Sequence, residues 1–305
     1  MFSAPDHQDP PGRVDSRVHG IGNTAKTAVL LGAIGGLLVL IGGLLGGPTW
    51  AAVGLALGLA ICGASYWKSD SVAIRSAGAM PISEVDAPRL HEAVAEVAAR
   101  AGVPMPRVYF IDSPQPNAFA TGRNAAHAAV AVTRGLLDVC DKDELMGVLA
   151  HEMGHVRNRD ILIGSVAAAI AMAISFLANM AMWAGMFGGG RDDDDSPNPF
   201  ALILIAILAP LAAGLLQMAL SRSREYEADR AGAEIMGDPE PLARALLKLD
   251  RISHDVPAHV NPAQAQAYIV NPLTGHQLRA TRYFMTHPPI EDRVARLRSM
   301  RVAGG

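Results

Sequence analysis

The sequence predicts a mainly α-helical membrane protein with a small β-sheet, in which four transmembrane helices form two hairpins next to a cytoplasmic domain. Half of the 305 residues are hydrophobic and only 18% are charged, a balance typical of membrane proteins. Four long uncharged runs fall into two pairs, and the polar segments around them have mainly helical periodicity. We therefore divide the chain into a flexible N-terminal tail (1–27), two transmembrane hairpins (28–67 and 161–220) and two cytoplasmic parts (68–160 and 221–305).

The first hairpin is predicted from residues 28–67, which contain no Asp, Glu, Lys, Arg or His. A transmembrane helix needs about 20 apolar residues, and the run is interrupted once, around Gly47 and Pro48. We therefore predict two helices, Ala28–Gly47 and Thr49–Trp67. A cleaved signal peptide is the alternative for the first helix, but its apolar run is longer than usual and a second span follows at once.

The second hairpin is predicted from uncharged runs at Ile161–Gly190 and Phe200–Leu220. The loop between them contains Arg191 and then four aspartates, Asp192–Asp195. We interpret it as a solvated acidic loop on the external side rather than as a calcium site.

Basic residues near the ends of the spans predict their orientation. The two hairpin loops contain a single Arg, whereas every other end of a span is followed or preceded by Lys or Arg. Both loops are therefore predicted to be external, and the N-terminus, the segment 68–160 and the C-terminal part are predicted to be cytoplasmic. The basic residues concerned are Arg13, Arg17, Lys26, Lys68, Arg75, Arg157, Arg159, Arg222, Arg224 and Arg230.

The charge and the cysteine content exclude several classes of protein. A net charge of −3 argues against general nucleic-acid binding. The two cysteines, Cys62 and Cys140, are too few for a disulfide framework or a Cys-based zinc site.

The cytoplasmic parts are predicted to contain both helices and short strands. Asp141, with Glu144 three residues later, is typical of a capped helix, which continues to about Arg157. The other predicted elements are helices over Pro88–Ala101, Arg222–Met236, Pro239–Ile252 and Ile290–Met300, and strands over Arg107–Ile111, Asn117–Thr121 and His127–Thr133.

The helix that begins after Asp141 contains the pattern H-E-x-x-H at His151, Glu152 and His155. Residues four apart lie on one face of a helix, so both imidazoles can bind one cation. Glu152 then projects toward the open side of the metal, where a carboxylate can hold a water molecule and act as a general base. The pattern predicts a hydrolytic site with one Zn²⁺ per chain in a zincin-like catalytic domain.

A hydrolytic zinc site needs a third protein ligand. Glu225 and Asp229 are four residues apart in a predicted helix. Glu225 can therefore bind the metal while Asp229 accepts a hydrogen bond from a ligand histidine. An antiparallel membrane hairpin between His155 and Glu225 returns the second helix to the membrane side that the first one left. The alternative for Glu225 is a surface ion pair with Arg222 or Arg224.

The segment His151–Asp160, a membrane hairpin and then Ser221–Arg230 together resemble the HtpX family of membrane zinc proteases and, more distantly, the CAAX prenyl endoproteases. In that family the third ligand is the Glu of an E-x-x-x-D motif, which matches Glu225. The resemblance implies a metalloendopeptidase that hydrolyses misfolded or damaged membrane proteins at the cytoplasmic face of the bacterial inner membrane. Its partners would be unfolded polypeptides and the lipid bilayer.

Two further segments match features of this family. Asn117, Ala118 and Phe119 belong to a segment that resembles the edge strand that pairs with the substrate backbone. His287-Pro-Pro resembles a late His-Pro that faces the active site, so His287 is our catalytic candidate for stabilising the oxyanion. Tyr226 and Tyr283 are weaker candidates, and a plain turn is the alternative for His287.

Three other functions fit parts of the pattern. An intramembrane protease would have H-E-x-x-H inside an apolar span, whereas charged residues surround the motif here. A processing protease for a prenylated or lipidated substrate remains an open alternative, since it differs in a cavity that sequence does not reveal. A non-enzymatic membrane zinc protein would have four protein ligands and no need of Glu152.

Overall fold

The computed structural model describes residues 70–162, 222–255 and 288–300, together with scattered positions between 32 and 68 and positions 166 and 269. The described part is mostly helical with a small mixed sheet, as predicted. The strands used below are β1 (Met80–Pro81), β2 (Arg107–Ile111), β3 (Ala118–Thr121) and β4 (Ala129–Thr133), and the helices are α1 (Pro88–Ala101), α2 (Arg134–Val139), α3 (Lys142–Arg157), α4 (Arg222–Met236), α5 (Glu240–Asp255) and α6 (Ile290–Ser299).

The sheet has the strand order β1-β2-β4-β3, with β2 parallel to β4 and the two outer strands antiparallel to their neighbours. At the start of β3, the Asn117 backbone N–H donates to Oγ1 of Thr133 (2.8 Å), and the Thr133 N–H donates to the Asn117 carbonyl (3.0 Å). Alternate residues of an antiparallel strand direct their backbone groups to opposite sides. Ala118 and Ala120 therefore direct theirs away from β4, toward the outer edge of the sheet.

Helix α3 lies at the centre of the described fold and packs against α1, α4, α5 and β3. It begins with a complete capping box, in which Asp141 accepts from the Glu144 backbone N–H and Glu144 accepts from the Asp141 N–H. This arrangement satisfies two amide donors that the first turn of a helix leaves without partners. The predicted start of the helix is confirmed.

Two glycines allow α3 and α4 to approach closely. A Cβ atom on Gly154 would lie 3.0 Å from the carbonyl oxygen of Ala228, and one on Gly232 would lie 2.9 Å from the backbone nitrogen of His151. The distance at Gly232 is too short for a methyl group, and the distance at Gly154 is at the limit of what a methyl group tolerates. The contact between the two helices therefore depends on hydrogen atoms at these positions, and it brings α4 next to the histidine motif.

The structure differs from the sequence prediction in local details. The strand predicted from His127 begins at Ala129, because the Asn124 side chain accepts from the His127 N–H and closes a 3₁₀ turn over Ala125–His127. Helix α2 was not predicted; it begins where the Thr133 side chain accepts from the Leu136 N–H. The remaining predicted elements agree with the structure to within three residues at each end.

Among the described residues, no helix combines the length and the apolar character needed to cross a bilayer. The four predicted transmembrane helices and the Asp192–Asp195 loop lie largely outside the described residues. The arrangement of four spans in two hairpins therefore stays a prediction.

Candidate metal centre

Helix α3 brings the two histidines of the motif together on one buried face. His151 is only 1% exposed, and Glu152 is 5% exposed. The Nε2 atoms of His151 and His155 lie 3.2 Å apart, and the two rings meet edge to face. The i, i+4 spacing thus gives two imidazole nitrogens that point at one position.

Glu225 reaches the same position from α4. Its carboxylate oxygens lie 3.7 Å from Nε2 of His151 and 3.7 Å from Nε2 of His155. One ligand atom from each of the three residues lies within 4.8 Å of the others. Glu225 is 7% exposed, and this burial disfavours the alternative of a surface ion pair.

Each histidine also contacts a carboxylate through its other ring nitrogen. Nδ1 of His151 lies 2.9 Å from Asp229, and Nδ1 of His155 lies 3.1 Å from Asp160. Burial alone would lower the pKa of His155, but the neighbouring Asp160 raises that pKa to about 10. Such carboxylate partners fix the tautomer and the orientation of a ligand histidine and make it a stronger electron donor.

These contacts test whether the residues fit a zinc ion. With both Nδ1 atoms directed at carboxylates, the two Nε2 atoms face one position in a buried site and lie 3.2 Å apart. Two nitrogens bound to one tetrahedral zinc at about 2.0–2.1 Å are themselves about 3.3 Å apart. The donor set of two imidazoles and one carboxylate fits zinc.

Glu152 lies between the histidines and the outer edge of the sheet. Its Oε2 atom accepts a hydrogen bond of 2.7 Å from the backbone N–H of Ala120 in β3. Burial raises the pKa of Glu152, while the neighbouring His151 and His155 act to lower it. A carboxylate held beside an edge strand and two imidazoles can exchange a proton with a group bound between them.

The structure adds two residues that the sequence analysis missed. Asp160 was part of the quoted motif but had no assigned role. Arg293 is 0% exposed and donates two hydrogen bonds to Asp229, at 2.6 and 2.8 Å. A signal existed for Arg293, since it lies in the buried stripe formed by Ile290, Val294 and Leu297. A charged residue within such a stripe indicates a buried ion pair.

The remaining predicted residues lie at different places. Ala118 and Phe119 belong to β3, and Asn117 directly precedes it. The side-chain oxygen of Asn117 accepts from the Ile269 N–H at 3.0 Å. Their role in substrate binding stays a prediction. His287 and Tyr283 lie outside the described residues, and the Tyr226 ring packs under the guanidinium of Arg296, 3.8 Å from the ring centre.

Comparisons with known proteins show which family this chain resembles. The sequence model of Peptidase family M48 matches residues 84–301. The Protease HtpX homolog of Pelotomaculum thermopropionicum is 49% identical over 282 residues, which cover 92% of this chain and all (100%) of that protein. The Protease HtpX homolog of Burkholderia thailandensis is 50% identical over 286 residues, which cover 92% of this chain and 98% of that protein.

A solved structure has a similar fold. The crystal structure of S. mikatae Ste24p matches with a TM-score of 0.50 at 21% identity, over 93% of this chain and 66% of that one. The predicted resemblance to membrane-bound HtpX-type zinc metalloproteases is thus confirmed, and this chain belongs to peptidase family M48 and is a metallopeptidase.

Proposed function

We propose that the protein is a membrane-anchored zinc metalloendopeptidase that cleaves misfolded or damaged membrane proteins at the cytoplasmic face of a bacterial inner membrane. The main support is the convergence of the His151, His155 and Glu225 ligand atoms beside Glu152. The long uncharged runs support the membrane anchor, and the distribution of Lys and Arg supports the cytoplasmic site. The catalytic residues would therefore lie on the side of the membrane that faces the cytoplasm.

Zinc would be held by His151, His155 and Glu225, an arrangement that leaves one position of a tetrahedral site open. When bound there, zinc supplies Lewis-acid activation of a water molecule and of the scissile carbonyl group.

Glu152 is the proposed general base and general acid. Its carboxylate takes a proton from the attacking water and later delivers this proton to the leaving amine. Burial acts to raise the pKa of Glu152, and a higher pKa makes the carboxylate a stronger base for the first of these steps. His287 remains the proposed donor to the oxyanion.

The outer edge of β3 is the proposed binding site for the substrate backbone. Ala118 and Ala120 direct their backbone groups toward this edge, and the contact from Ala120 to Glu152 fixes the edge beside the reacting residues. An extended peptide that adds to the sheet here forms main-chain hydrogen bonds, which do not depend on its side chains. Loose specificity of this kind suits the removal of unfolded proteins.

The test uses the full chain in lipid nanodiscs, with an unfolded membrane protein and a casein-like protein as substrates. Glu152→Gln should retain zinc and lose at least about 100-fold in cleavage rate, because it lacks the proton-transfer group. Glu84→Gln, at an exposed position far along the chain from the motif, is the matched control. Cleavage by the Glu152→Gln protein at the normal rate contradicts the proposal. Strong preference for a prenylated peptide would indicate the processing enzyme instead.

A further inference from the structure

Arg293 is a buried charged side chain of α6 whose function the proposed mechanism does not use. None of its surface is exposed to solvent. Its Nε and Nη2 atoms donate to the two oxygens of Asp229 at 2.8 and 2.6 Å. This is the bidentate geometry in which a guanidinium binds a carboxylate. A buried guanidinium has lost its contacts with water, so protein groups must supply its hydrogen-bond partners.

Asp229 connects Arg293 to the metal centre. The same carboxylate oxygen that accepts from Arg293 lies 2.9 Å from Nδ1 of His151. The guanidinium lies farther from that nitrogen, at 3.4 Å. Both donors therefore meet on Asp229, and the imidazole presents its Nε2 atom to the metal position. Burial acts to raise the pKa of Asp229, but Arg293 holds that pKa below its ordinary value.

Arg293 has contacts on two further sides. Its Nη1 atom lies 3.8 Å from Oε2 of Glu225 and donates to the carbonyl of Ile269 at 2.9 Å. The N–H of Ile269 in turn donates to the side chain of Asn117, at the start of β3. One guanidinium thus contacts a carboxylate ligand, the partner of a histidine ligand and a backbone group attached to the proposed substrate edge.

We propose that Arg293 is a positioning residue for zinc binding. It holds the Asp229 carboxylate in place, so that His151 keeps the ring orientation that zinc requires, and through Ile269 it fixes β3 relative to the metal. Only arginine offers donors in a planar fork that reach Asp229 twice and Ile269 at the same time. This inference rests on the proposed zinc site.

The alternative is that Arg293 only anchors α6 to the rest of the fold. A pure anchor would change the melting temperature and leave zinc coordination in the folded protein unaltered. A positioning residue changes the coordination itself, because a displaced partner alters the orientation of the imidazole that binds the metal. Metal affinity and the spectrum of a bound cobalt ion therefore separate the two roles.

The test measures zinc affinity by competition with a chelator, and the visible absorption of the cobalt-loaded protein, on the full chain in detergent. Arg293→Gln should bind zinc about tenfold more weakly or worse and shift the cobalt bands. Arg298→Gln is the matched control, since it removes a charge from the same helix but breaks only an exposed ion pair with Glu240. It should bind zinc as the unaltered protein does. Adding Asp229→Asn to Arg293→Gln should weaken binding little further, because both act through one contact.

The outcomes distinguish this inference from the proposed function. Absence of zinc binding in the unaltered protein overturns the proposed function. Tight binding in the unaltered protein, with unchanged affinity and cobalt spectrum in Arg293→Gln, overturns the inference alone, as does an equal loss in Arg298→Gln. If Arg293→Gln does not fold, Arg293→Lys decides, because lysine keeps the charge but cannot form all three hydrogen bonds. An unchanged cobalt spectrum in Arg293→Lys then overturns the inference.

Discussion

Both carboxylate oxygens of Asp160 lie 3.1 Å from Nδ1 of His155, although Asp160 follows the C-terminal end of α3. The chain turns back because Arg159 adopts a left-handed backbone conformation, with φ of 58°, and the Asp160 N–H bonds to the His155 carbonyl. This conformation costs a non-glycine residue about 1–2 kcal/mol. The Arg159 N–H also donates to the Val156 carbonyl, and the result is a carboxylate placed against a proposed ligand histidine.

The contact between Asp160 and His155 leads to a first prediction. Asp160→Asn keeps the shape of the side chain but removes the negative charge that makes His155 a strong donor. We expect the zinc affinity, measured by chelator competition, to fall by about 10- to 100-fold, the usual effect of altering the partner of a ligand histidine. Asp138→Asn, at an exposed carboxylate of α2, is the control and should bind zinc normally. Equal affinity in both variants would remove Asp160 from the site.

The close approach of α3 and α4 leads to a second prediction. In Gly232→Ala the new methyl group would lie 2.9 Å from the His151 nitrogen and 3.1 Å from its Cα, so α4 must move outward. Overpacking of this kind costs about 1–3 kcal/mol. We expect a lower melting temperature together with weaker zinc binding, because Glu225 moves with α4.

The control for this variant is Glu234→Ala in the same helix. Glu234 forms exposed ion pairs with Arg157 and Arg230, and such pairs contribute about 0–1 kcal/mol. Its removal should leave zinc binding intact. If Gly232→Ala melts and binds zinc like the unaltered protein, the helices have more freedom than the structure describes.

The half-buried thiol of Cys140 leads to a third prediction. Burial and the nearby Glu144 raise the pKa of Cys140 to about 12. Only the thiolate reacts with alkylating reagents, so the folded protein should react at pH 8 at least about 100-fold more slowly than an ordinary thiol. The measurement uses a Cys62→Ser background and mass spectrometry after iodoacetamide. Reaction should become fast in urea, and an equally fast reaction without urea would contradict the raised pKa of Cys140.

The locally determined features of the site were predictable from the sequence. The i, i+4 spacing placed His151 and His155 on one face, and the capping residue Asp141 located the start of α3, since both depend on neighbouring residues. The pairing of Glu225 with this helix followed from the assumption of a membrane hairpin. No local pattern, however, specifies which carboxylate approaches which ring nitrogen.

The features that sequence reasoning missed depend on long-range contacts or unusual backbone. Arg293 lies 64 residues from Asp229 and 142 residues from His151, and only packing of α6 brings them together. Asp160 depends on a left-handed arginine, a conformation that sequence patterns assign to glycine or asparagine. The strand predicted from His127 was too long because the Asn124 side chain competes for the backbone.

The residues of the proposed metal centre are far apart in the sequence, with His151 first, Glu225 much later and Arg293 later still. A ribosome makes them in that order, so an unfinished polypeptide has His151 and His155 long before Glu225 exists. We therefore expect the growing chain to be inactive as a protease. Hydrolysis should begin only after α6 has been synthesised and has packed against the other helices. Synthesis order alone would then protect the neighbouring nascent proteins at the membrane from premature cleavage.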